Sequence, residues 1–236
     1  MDSPLISYFS LLYDNEEEQK YIFGLFEQFE ASKDSGSYHL ALFAYHLLFI
    51  CYFYQTLHKL KIWMPEKHHT AMVSFDKGRR EKFRTATNPT DYAHNSNHER
   101  SFFEFLNVFC DCGQVVAECK DLVDYRNNRL GHVNYLLVSE KAFEEQIEKY
   151  DQIALEVHKL THEELARIFD EYFRSIDPQM QQTKDDVEIN LIAPNRLSDK
   201  DLESLSAECL VAPDLKKKQV LKILQEDFNI YVEIVK

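Results

Sequence analysis

The sequence predicts a mainly α-helical protein with a small C-terminal α+β module. Five Gly and six Pro in 236 residues are few for a turn-rich β fold. Apolar side chains recur at helical spacing between residues 16 and 175, after which two short segments alternate apolar and polar residues. We therefore expect a helical domain at residues 1–176, a linker at 177–186 and a β-α-α-β module at 187–236.

Two long helices are expected first. Asp14 or Asn15 can cap a helix whose acidic first turn suits the positive end of the helix dipole. Its predicted inner face consists of apolar side chains at 3.6-residue spacing, namely Tyr21, Ile22, Leu25, Phe26 and Phe29. A second helix is predicted at residues 38–62, before Pro65.

The second helix contains an unusually apolar stretch. Residues 40–54 are apolar except for His46, and this run is shorter than the ~20 residues needed to cross a bilayer. A helix that is apolar on all sides is typical of the buried centre of a bundle, or of a helix buried again in a dimer. We therefore expect a core helix and no membrane span.

Residues 65–98 are polar and lack periodicity, which predicts a long loop of functional use. The loop holds the densest positive cluster of the chain: Lys77, Arg79, Arg80, Lys82 and Arg84. This cluster is either a solvated loop or a surface that steers RNA, since phosphate contacts position a substrate without reading its sequence. The same region is rich in histidines, at positions 68, 69, 94 and 98. No Cys or carboxylate set completes a metal site there, so a metal-dependent enzyme is the weakest alternative.

Further helices are expected at residues 99–123 and 139–160, and after Thr161, which would form a capping box with Glu164. In the C-terminal module, alternation predicts strands at residues 187–191 and 230–234. Between them, we expect a helix at residues 198–208 and another that starts near Pro213.

The segment between the third and fourth helices carries candidate chemistry. It reads Arg126-Asn127-x4-His132, and its Asn and Gly residues interrupt helical propensity. We expect a turn or a new helix start here, with backbone N–H groups free for an anion. An Arg is a permanent cation that can hold a phosphate, and a His can transfer a proton near neutral pH. The pair could therefore cleave a phosphodiester without a metal.

This arrangement resembles the HEPN superfamily, whose motif is an Arg, four to six residues and a His, with a polar residue directly after the Arg. The resemblance covers about residues 16–175. It implies an all-helical fold and a metal-independent endoribonuclease of toxin–antitoxin, CRISPR or phage-defence type. It also implies catalytic roles for Arg126, Asn127 and His132, with two motifs paired across a dimer. Arg129 is expected to add positive potential for RNA.

The net charge and the cysteine content limit the kind of nucleic-acid binding and the cellular compartment that can be expected. A net charge of −13 argues against generic coating of nucleic acid, but it does not exclude an RNase with a local positive surface. Five Cys without a Cys-x-x-Cys motif indicate a reducing cytosol. We expect a cytoplasmic, cofactor-independent endoribonuclease that acts on RNA as a homodimer or larger assembly, with an antitoxin or defence protein as a possible partner. The alternative is a catalytically silent helical scaffold that binds a protein.

Overall fold

The computed structural model describes residues 4–93, 99–109, 112–130, 137–177, 179–211 and 213–230. These residues are mainly helical and contain no β-strand, although Ser10 and Ser198 form an isolated antiparallel bridge. The prediction of a mainly α fold is therefore confirmed. The α+β module predicted at the C-terminus is wrong.

The chain divides into two compact units, which are described separately. The larger unit comprises Asp2–Ile6 and Asp14–Leu160, and the smaller one comprises Ser7–Tyr13 and Thr161–Lys236. The division in the helical region thus follows Leu160, whereas the sequence placed it after residue 176.

The described part of the larger unit is built from helices of very unequal length. In chain order they are α1 (Glu16–Asp34), α2 (Tyr38–Trp63), α3 (Pro65–Ala71), α4 (Lys77–Thr85), α5 (Glu99–Phe102), α6 (Leu106–Phe109), α7 (Gly113–Tyr125) and α8 (Glu140–Leu160). Short 3₁₀ turns lie at Met72–Ser74, Pro89–Tyr92 and Phe103–Phe105. The predicted helices at 38–62 and 139–160 are confirmed as α2 and α8.

Two predictions for this unit are wrong. The polar segment at residues 65–93 is not a loop, since α3, α4 and two 3₁₀ turns occupy it. The helix predicted at residues 99–123 is interrupted, because a 3₁₀ turn separates α5 from α6, and α7 begins anew at Gly113. Phe83 is the one buried side chain of α4, so the sequence of that helix has no apolar stripe to reveal it.

The α1–α2 hairpin follows from its end residues. The Asn15 side chain caps α1 by accepting hydrogen bonds from the backbone N–H groups of Glu17 and Glu18, at 2.9 and 3.4 Å. After α1, Gly36 adopts a φ of 71°, a conformation that glycine takes without steric penalty, and the chain reverses into α2. On the inner face of α1, Ile22 and Phe29 are buried as predicted. Tyr21 is 53% exposed, so its assignment to that face is wrong.

Helix α2 forms the core of the larger unit. Phe49 and Phe53 are fully buried, and the ring of Phe53 packs edge-on against Phe103 with a centroid separation of 4.8 Å. Burial of each such ring stabilises the fold by about 1.5–3 kcal/mol. The helix is long and apolar enough to span a membrane, but 72% of its most apolar stretch is buried within the protein. This burial is consistent with the core helix of a soluble protein.

The smaller unit is also helical wherever it is described. Its helices are α9 (His162–Ser175), α10 (Lys184–Val187), α11 (Ala193–Asn195), α12 (Asp199–Val211) and α13 (Leu215–Asp227), with a π-helical segment at Glu188–Ile192 between α10 and α11. The helix predicted at residues 198–208 is confirmed as α12, and it starts with a capping box in which the side chains of Ser198 and Asp201 each accept from the other's backbone N–H. The capping box predicted at α9 is wrong, since the Thr161 side chain makes no cap hydrogen bond.

Residues 187–191, predicted as a strand, are helical, and their burial pattern explains why. Val187 and Leu191 are fully buried one helical turn apart, whereas Ile189 between them is 68% exposed. The Thr183 hydroxyl caps this helix by accepting from the backbone N–H of Asp186, and it donates to the Asp186 carboxylate. Of the second predicted strand, residues 231–234 lie outside the described residues.

Candidate active site

Arg126 continues the helix that precedes it. Helix α7 passes directly into a π-helical segment at Arg126–Leu130, which also carries Asn127 and Arg129. The predicted turn or new helix start is therefore wrong for residues 126–130, and the rest of the motif lies outside the described residues. Because the chain enters this segment from a preceding helix, its N–H groups are directed to earlier carbonyls, as that of Arg126 is to Leu122 O and Val123 O. Anion binding at Arg126 must consequently depend on side chains. Short π-helical segments are frequent at functional sites.

The guanidinium of Arg126 is held by a carboxylate 27 residues earlier in the chain. Its Nη2 donates to Oε2 of Glu99, at the start of α5. The two side chains are 19% and 11% exposed. A parallel ion pair joins Arg100 to Asp124 between the same two helices, but that pair is largely exposed. Two ion pairs thus join α5 to the end of α7 and the π-helical segment after it, and the one that contains Arg126 is the less exposed of the two.

A buried histidine lies behind this ion pair. His46, fully buried on α2, places Nε2 3.6 Å from Oε2 of Glu99 and Nδ1 2.9 Å from the Tyr150 hydroxyl on α8. A carboxylate only accepts hydrogen bonds, which assigns the imidazole proton to Nε2 and leaves Nδ1 to accept from Tyr150. Arg126, Glu99, His46 and Tyr150 therefore form one polar cluster, here called the Arg126 cluster.

The charges in this cluster follow from burial. Burial lowers the pKa of His46; the facing Glu99 carboxylate counters this and Arg126 adds to it. His46 is therefore neutral at pH 7. Burial alone would raise the pKa of Glu99, but the His46 and Arg126 interactions outweigh it and the pKa is lowered. Glu99 is consequently ionised and balances the charge of Arg126.

Two buried nitrogen atoms of the cluster have no hydrogen-bond partner among the described residues. They are Nε2 of His46 and Nε of Arg126. Buried polar atoms without partners are expensive, and a buried ion pair is weak evidence for stability alone. Perturbed titratable groups in such surroundings are typical of functional sites. The cluster therefore stands out as the candidate active site.

Of the predicted catalytic residues, the structure describes Arg126 and Asn127 but not His132. Asn127 is half-buried and Arg129 is exposed, both on the π-helical segment with Arg126. His132 lies outside the described residues, which end at Leu130 and resume at Leu137. The sequence analysis missed Glu99 and His46. The signal for His46 was its position as the one polar residue in the apolar run at 40–54.

The predicted RNA-binding residues of α4 fall into two groups. Arg79 pairs with Asp76, Arg84 pairs with Glu81 at 2.7 Å, and Arg80 donates to backbone carbonyls of the preceding turn. Lys77 and Lys82 are exposed, and the ammonium group of neither forms a hydrogen bond or an ion pair within 4 Å of another described residue. The two lysines are therefore the α4 cations most available to a phosphate.

The histidines of residues 65–98 have separate surroundings. His68 is buried, with Nε2 3.2 Å from the Tyr92 hydroxyl, and burial lowers its pKa to about 4. His69 is exposed, and the other two histidines of the predicted set, at 94 and 98, lie outside the described residues. Within the described ranges, no group of three or more His, Cys, Asp or Glu side chains is arranged to hold a metal ion.

Comparison with known proteins assigns neither a family nor a function to this chain. The chain matches no family model, no curated protein and no solved structure among those compared. Its function must therefore be argued from the chemistry of the Arg126 cluster and from the residues around it.

Proposed function

We propose that this protein is a metal-independent endoribonuclease whose active site contains Arg126, Asn127 and His132. The observation that carries the proposal is the anchoring of Arg126: Glu99 fixes one side of its guanidinium while 19% of the side chain stays accessible. An anchored guanidinium is preorganised to bind a phosphate. The helical fold agrees with the HEPN resemblance drawn from the motif.

In the proposed reaction, Arg126 binds the scissile phosphate and stabilises its developing negative charge. The ribose 2′-hydroxyl attacks phosphorus, the bond to the 5′-oxygen breaks, and a 2′,3′-cyclic phosphate remains. His132 transfers a proton, either from the 2′-hydroxyl or to the leaving oxygen. Asn127 is a neighbouring polar group that can orient the phosphate or His132.

A second proton-transfer group is needed for the other end of the bond. His46 is fully buried and neutral behind Glu99, so it is unsuited to touch RNA. A second copy of the chain supplies the missing group if two motifs meet in one cleft with twofold symmetry. Leu40 and Phe43, exposed on one face of α2, are suitable interface residues. The protein therefore acts as a homodimer or a larger assembly.

RNA is the proposed substrate, steered by Lys77, Lys82 and Arg129 rather than by a generally basic surface. The excess of acidic residues, which gives the chain a net charge of −13, keeps this attraction local. A toxin or defence role in the cytoplasm follows from the resemblance, and such an enzyme requires an antitoxin or defence protein to restrain or trigger it.

A catalytically silent scaffold is the second candidate, and the same ion pair favours it. A guanidinium already bonded to Glu99 has fewer donors left for a phosphate. In this alternative, the Arg126 cluster only joins α2, α5, α7 and α8, and the protein binds a partner protein through its helical surface.

RNA cleavage in EDTA separates the two candidates. The enzyme should cut RNA to cyclic-phosphate ends and should leave a fully 2′-deoxy strand intact. Arg126→Lys retains a positive charge beside Glu99 but loses the forked geometry, and it should lower the rate at least ~10²-fold, as should His132→Ala. Arg100→Gln removes the neighbouring exposed ion pair and is the matched control, with a near-normal rate expected. Intact RNA with the wild-type protein, over a range of RNA sequences, would support the scaffold instead.

A further inference from the structure

The four side chains of the Arg126 cluster carry no net charge at pH 7. Glu99 balances the charge of Arg126, His46 is neutral, and burial raises the pKa of Tyr150, which keeps its hydroxyl neutral. A phosphate that binds Arg126 therefore adds a negative charge to a site that is already balanced and largely shielded from solvent. This added charge costs free energy unless the cluster gains a positive charge.

His46 is the member of the cluster that can supply this charge. Its Nε2 lies 3.6 Å from Oε2 of Glu99, the same oxygen that accepts from Arg126. This nitrogen is buried and has no hydrogen-bond partner among the described residues. When a phosphate binds the guanidinium of Arg126, the two anions share one cation. The Glu99 carboxylate then attracts a second cation, and the imidazolium form of His46 is that cation.

Both nitrogens of a protonated His46 face an acceptor. Nε2 faces the Glu99 carboxylate, and Nδ1 lies 2.9 Å from the Tyr150 hydroxyl. A hydroxyl can both donate and accept. Tyr150 therefore donates to the neutral imidazole and, after rotation of its O–H bond, accepts from Nδ1–H of the imidazolium. Protonation requires the rotation of this one bond and no movement of α2 or α8.

Among the described residues, two charged groups act on His46 from the elements packed around it. Glu99 on α5 favours the protonated form, whereas burial and Arg126 favour the neutral form. On α8, Tyr150 faces the imidazole, and the adjacent Asp151 carboxyl accepts instead from a different tyrosine of α2. A bound phosphate offsets the effect of Arg126 and leaves that of Glu99, so both changes raise the pKa of His46.

We propose that His46 takes up a proton when a phosphate group of RNA binds Arg126. This inference rests on the proposed function, because it takes phosphate as the ligand of Arg126. The proton comes from solvent and is bound at Nδ1, while Glu99 stays ionised because a carboxyl ordinarily titrates about two pH units below an imidazole. Since coupling between two binding events is reciprocal, RNA binds more tightly as the pH falls.

The pH range of this effect follows from the direction of the His46 shift. The pKa of His46 in the free protein is lowered by burial and lies below the ordinary ~6.5. Affinity for RNA rises as the pH falls through the higher pKa of His46 in the complex. It becomes constant below the pKa of His46 in the free protein, where both states carry the proton.

Calorimetric titration with a 2′-O-methyl RNA strand tests the coupling, because a strand without a free 2′-hydroxyl binds without being cleaved. Titrations at constant salt, in EDTA and in two buffers of different ionisation enthalpy, give the number of protons taken up per bound strand. We expect roughly half a proton or more near pH 6, and an affinity about tenfold higher at pH 5.5 than at pH 7.5. His46→Asn keeps an acceptor for Tyr150 but cannot be protonated, so it should remove at least half of the uptake.

Two further histidine variants locate the proton. His68→Asn changes another buried histidine, whose pKa of about 4 keeps it neutral near pH 6, and it should leave the uptake unchanged. His132→Ala removes the histidine of the motif and should leave in place the part of the uptake that depends on His46. Full uptake by the His46→Asn protein, or complete loss of uptake in the His132→Ala protein, would overturn the proposal.

Tyr150→Phe keeps the ring and decides the question if His46→Asn does not fold. It removes the acceptor for Nδ1–H, so it should also lower the uptake, and full uptake would contradict the proposal. The outcomes separate this coupling from the nuclease function. Coupled binding without cleavage of unmodified RNA would refute the nuclease alone, and cleavage without uptake at His46 would refute the coupling alone. No binding at all would refute both.

Discussion

Nδ1 of His46 lies 2.9 Å from the Tyr150 hydroxyl, and this contact joins the centre of α2 to the centre of α8. The other ring nitrogen of His46 faces Glu99, which holds Arg126. A single imidazole therefore lies between α8 and the carboxylate that holds Arg126, with a hydrogen bond to Tyr150 on one side and a 3.6 Å contact to Glu99 on the other.

This connection predicts energetic coupling between His46 and Tyr150. His46→Phe leaves the Tyr150 hydroxyl buried without its partner and should destabilise the fold by about 1–3 kcal/mol. Tyr150→Phe in the same chain should then add little, which gives a coupling energy of about 1 kcal/mol in a urea double-mutant cycle. Tyr52→Phe removes a hydroxyl that bonds the Ala154 carbonyl between the same helices, and it should be additive with His46→Phe. Additive effects of His46→Phe and Tyr150→Phe would contradict the contact.

The two ion pairs between α5 and α7 should differ in their contribution to stability. Arg126→Gln leaves the largely shielded Glu99 carboxylate without its cation, and we expect a loss of about 2 kcal/mol. Arg100→Gln breaks the exposed pair with Asp124 and should change stability by less than ~1 kcal/mol. Urea unfolding of both variants measures the difference. Similar losses would mean that the Arg126 pair is as solvated as its neighbour.

The Asp151 carboxyl predicts a pH dependence of stability. Burial raises its pKa to about 6, and the hydrogen bond from Tyr45 offsets only part of this shift. An acid with a raised pKa in the folded state stabilises the fold while protonated, and this contribution is lost as pH rises from about 4 through about 6. Asp151→Asn keeps an acceptor for Tyr45, so it should remove this decline and gain about 1 kcal/mol at pH 7, after allowance for the partial exposure of the carboxyl. Urea unfolding at pH 4, 5, 6 and 7 checks the prediction, and parallel curves for the two proteins would contradict it.

RNA affinity should depend on the two unpaired lysines of α4. Lys77→Gln together with Lys82→Gln should weaken RNA binding and lower the slope of log K against log salt by about 1.4, or ~0.7 for each phosphate contact with a single strand. Lys141→Gln with Lys149→Gln, on the exposed side of α8, removes the same charge and should leave the slope nearly unchanged. Equal slopes for the two double variants would show that α4 does not contact RNA and is an ordinary solvated helix.

The proposal that motifs from two copies of the chain meet in one cleft predicts a dimer at micromolar concentration. Leu40 and Phe43 are 49% and 39% exposed on α2, so Leu40→Glu with Phe43→Glu should dissociate the assembly and reduce RNA cleavage in parallel. Leu155→Glu places a charge at a partly exposed apolar position on α8 and serves as the control. The mass in solution and the cleavage rate are measured on the same samples. A monomeric wild-type protein that cleaves RNA would show that one motif is sufficient.

Sequence periodicity predicted the long helices because their burial is continuous along one or more faces. It failed at residues 187–191, where an exposed Ile189 between buried Val187 and Leu191 imitates the alternation of a strand. The capping box of Thr183 and Asp186 was the local signal for a helix start there. Pro194 follows closely and lacks the N–H that a regular helix would direct to a preceding carbonyl, and the chain is π-helical just before it.

The candidate site was predictable only in part for a different reason. Arg126 belongs to a motif that is local in sequence, but its partners come from α5, α2 and, through His46, α8. Spacing along the chain carries no information on which distant carboxylate meets an Arg. A lone His in an apolar helix indicates a buried polar partner, although the identity of that partner requires the fold.

Residues Ser7–Tyr13 belong to the same compact unit as Thr161–Lys236, and the hydrogen bond from Leu11 N to Leu197 O, at 2.9 Å, ties the two segments together. During synthesis on the ribosome, this N-terminal segment emerges long before its partners. It must stay unpaired while residues 14–160 are translated, because domains form as units once their whole chain is available. In a nascent chain stalled before residue 197, Leu11 therefore lacks the carbonyl that it bonds in the folded unit, and this unit closes only after Leu197 has left the ribosome.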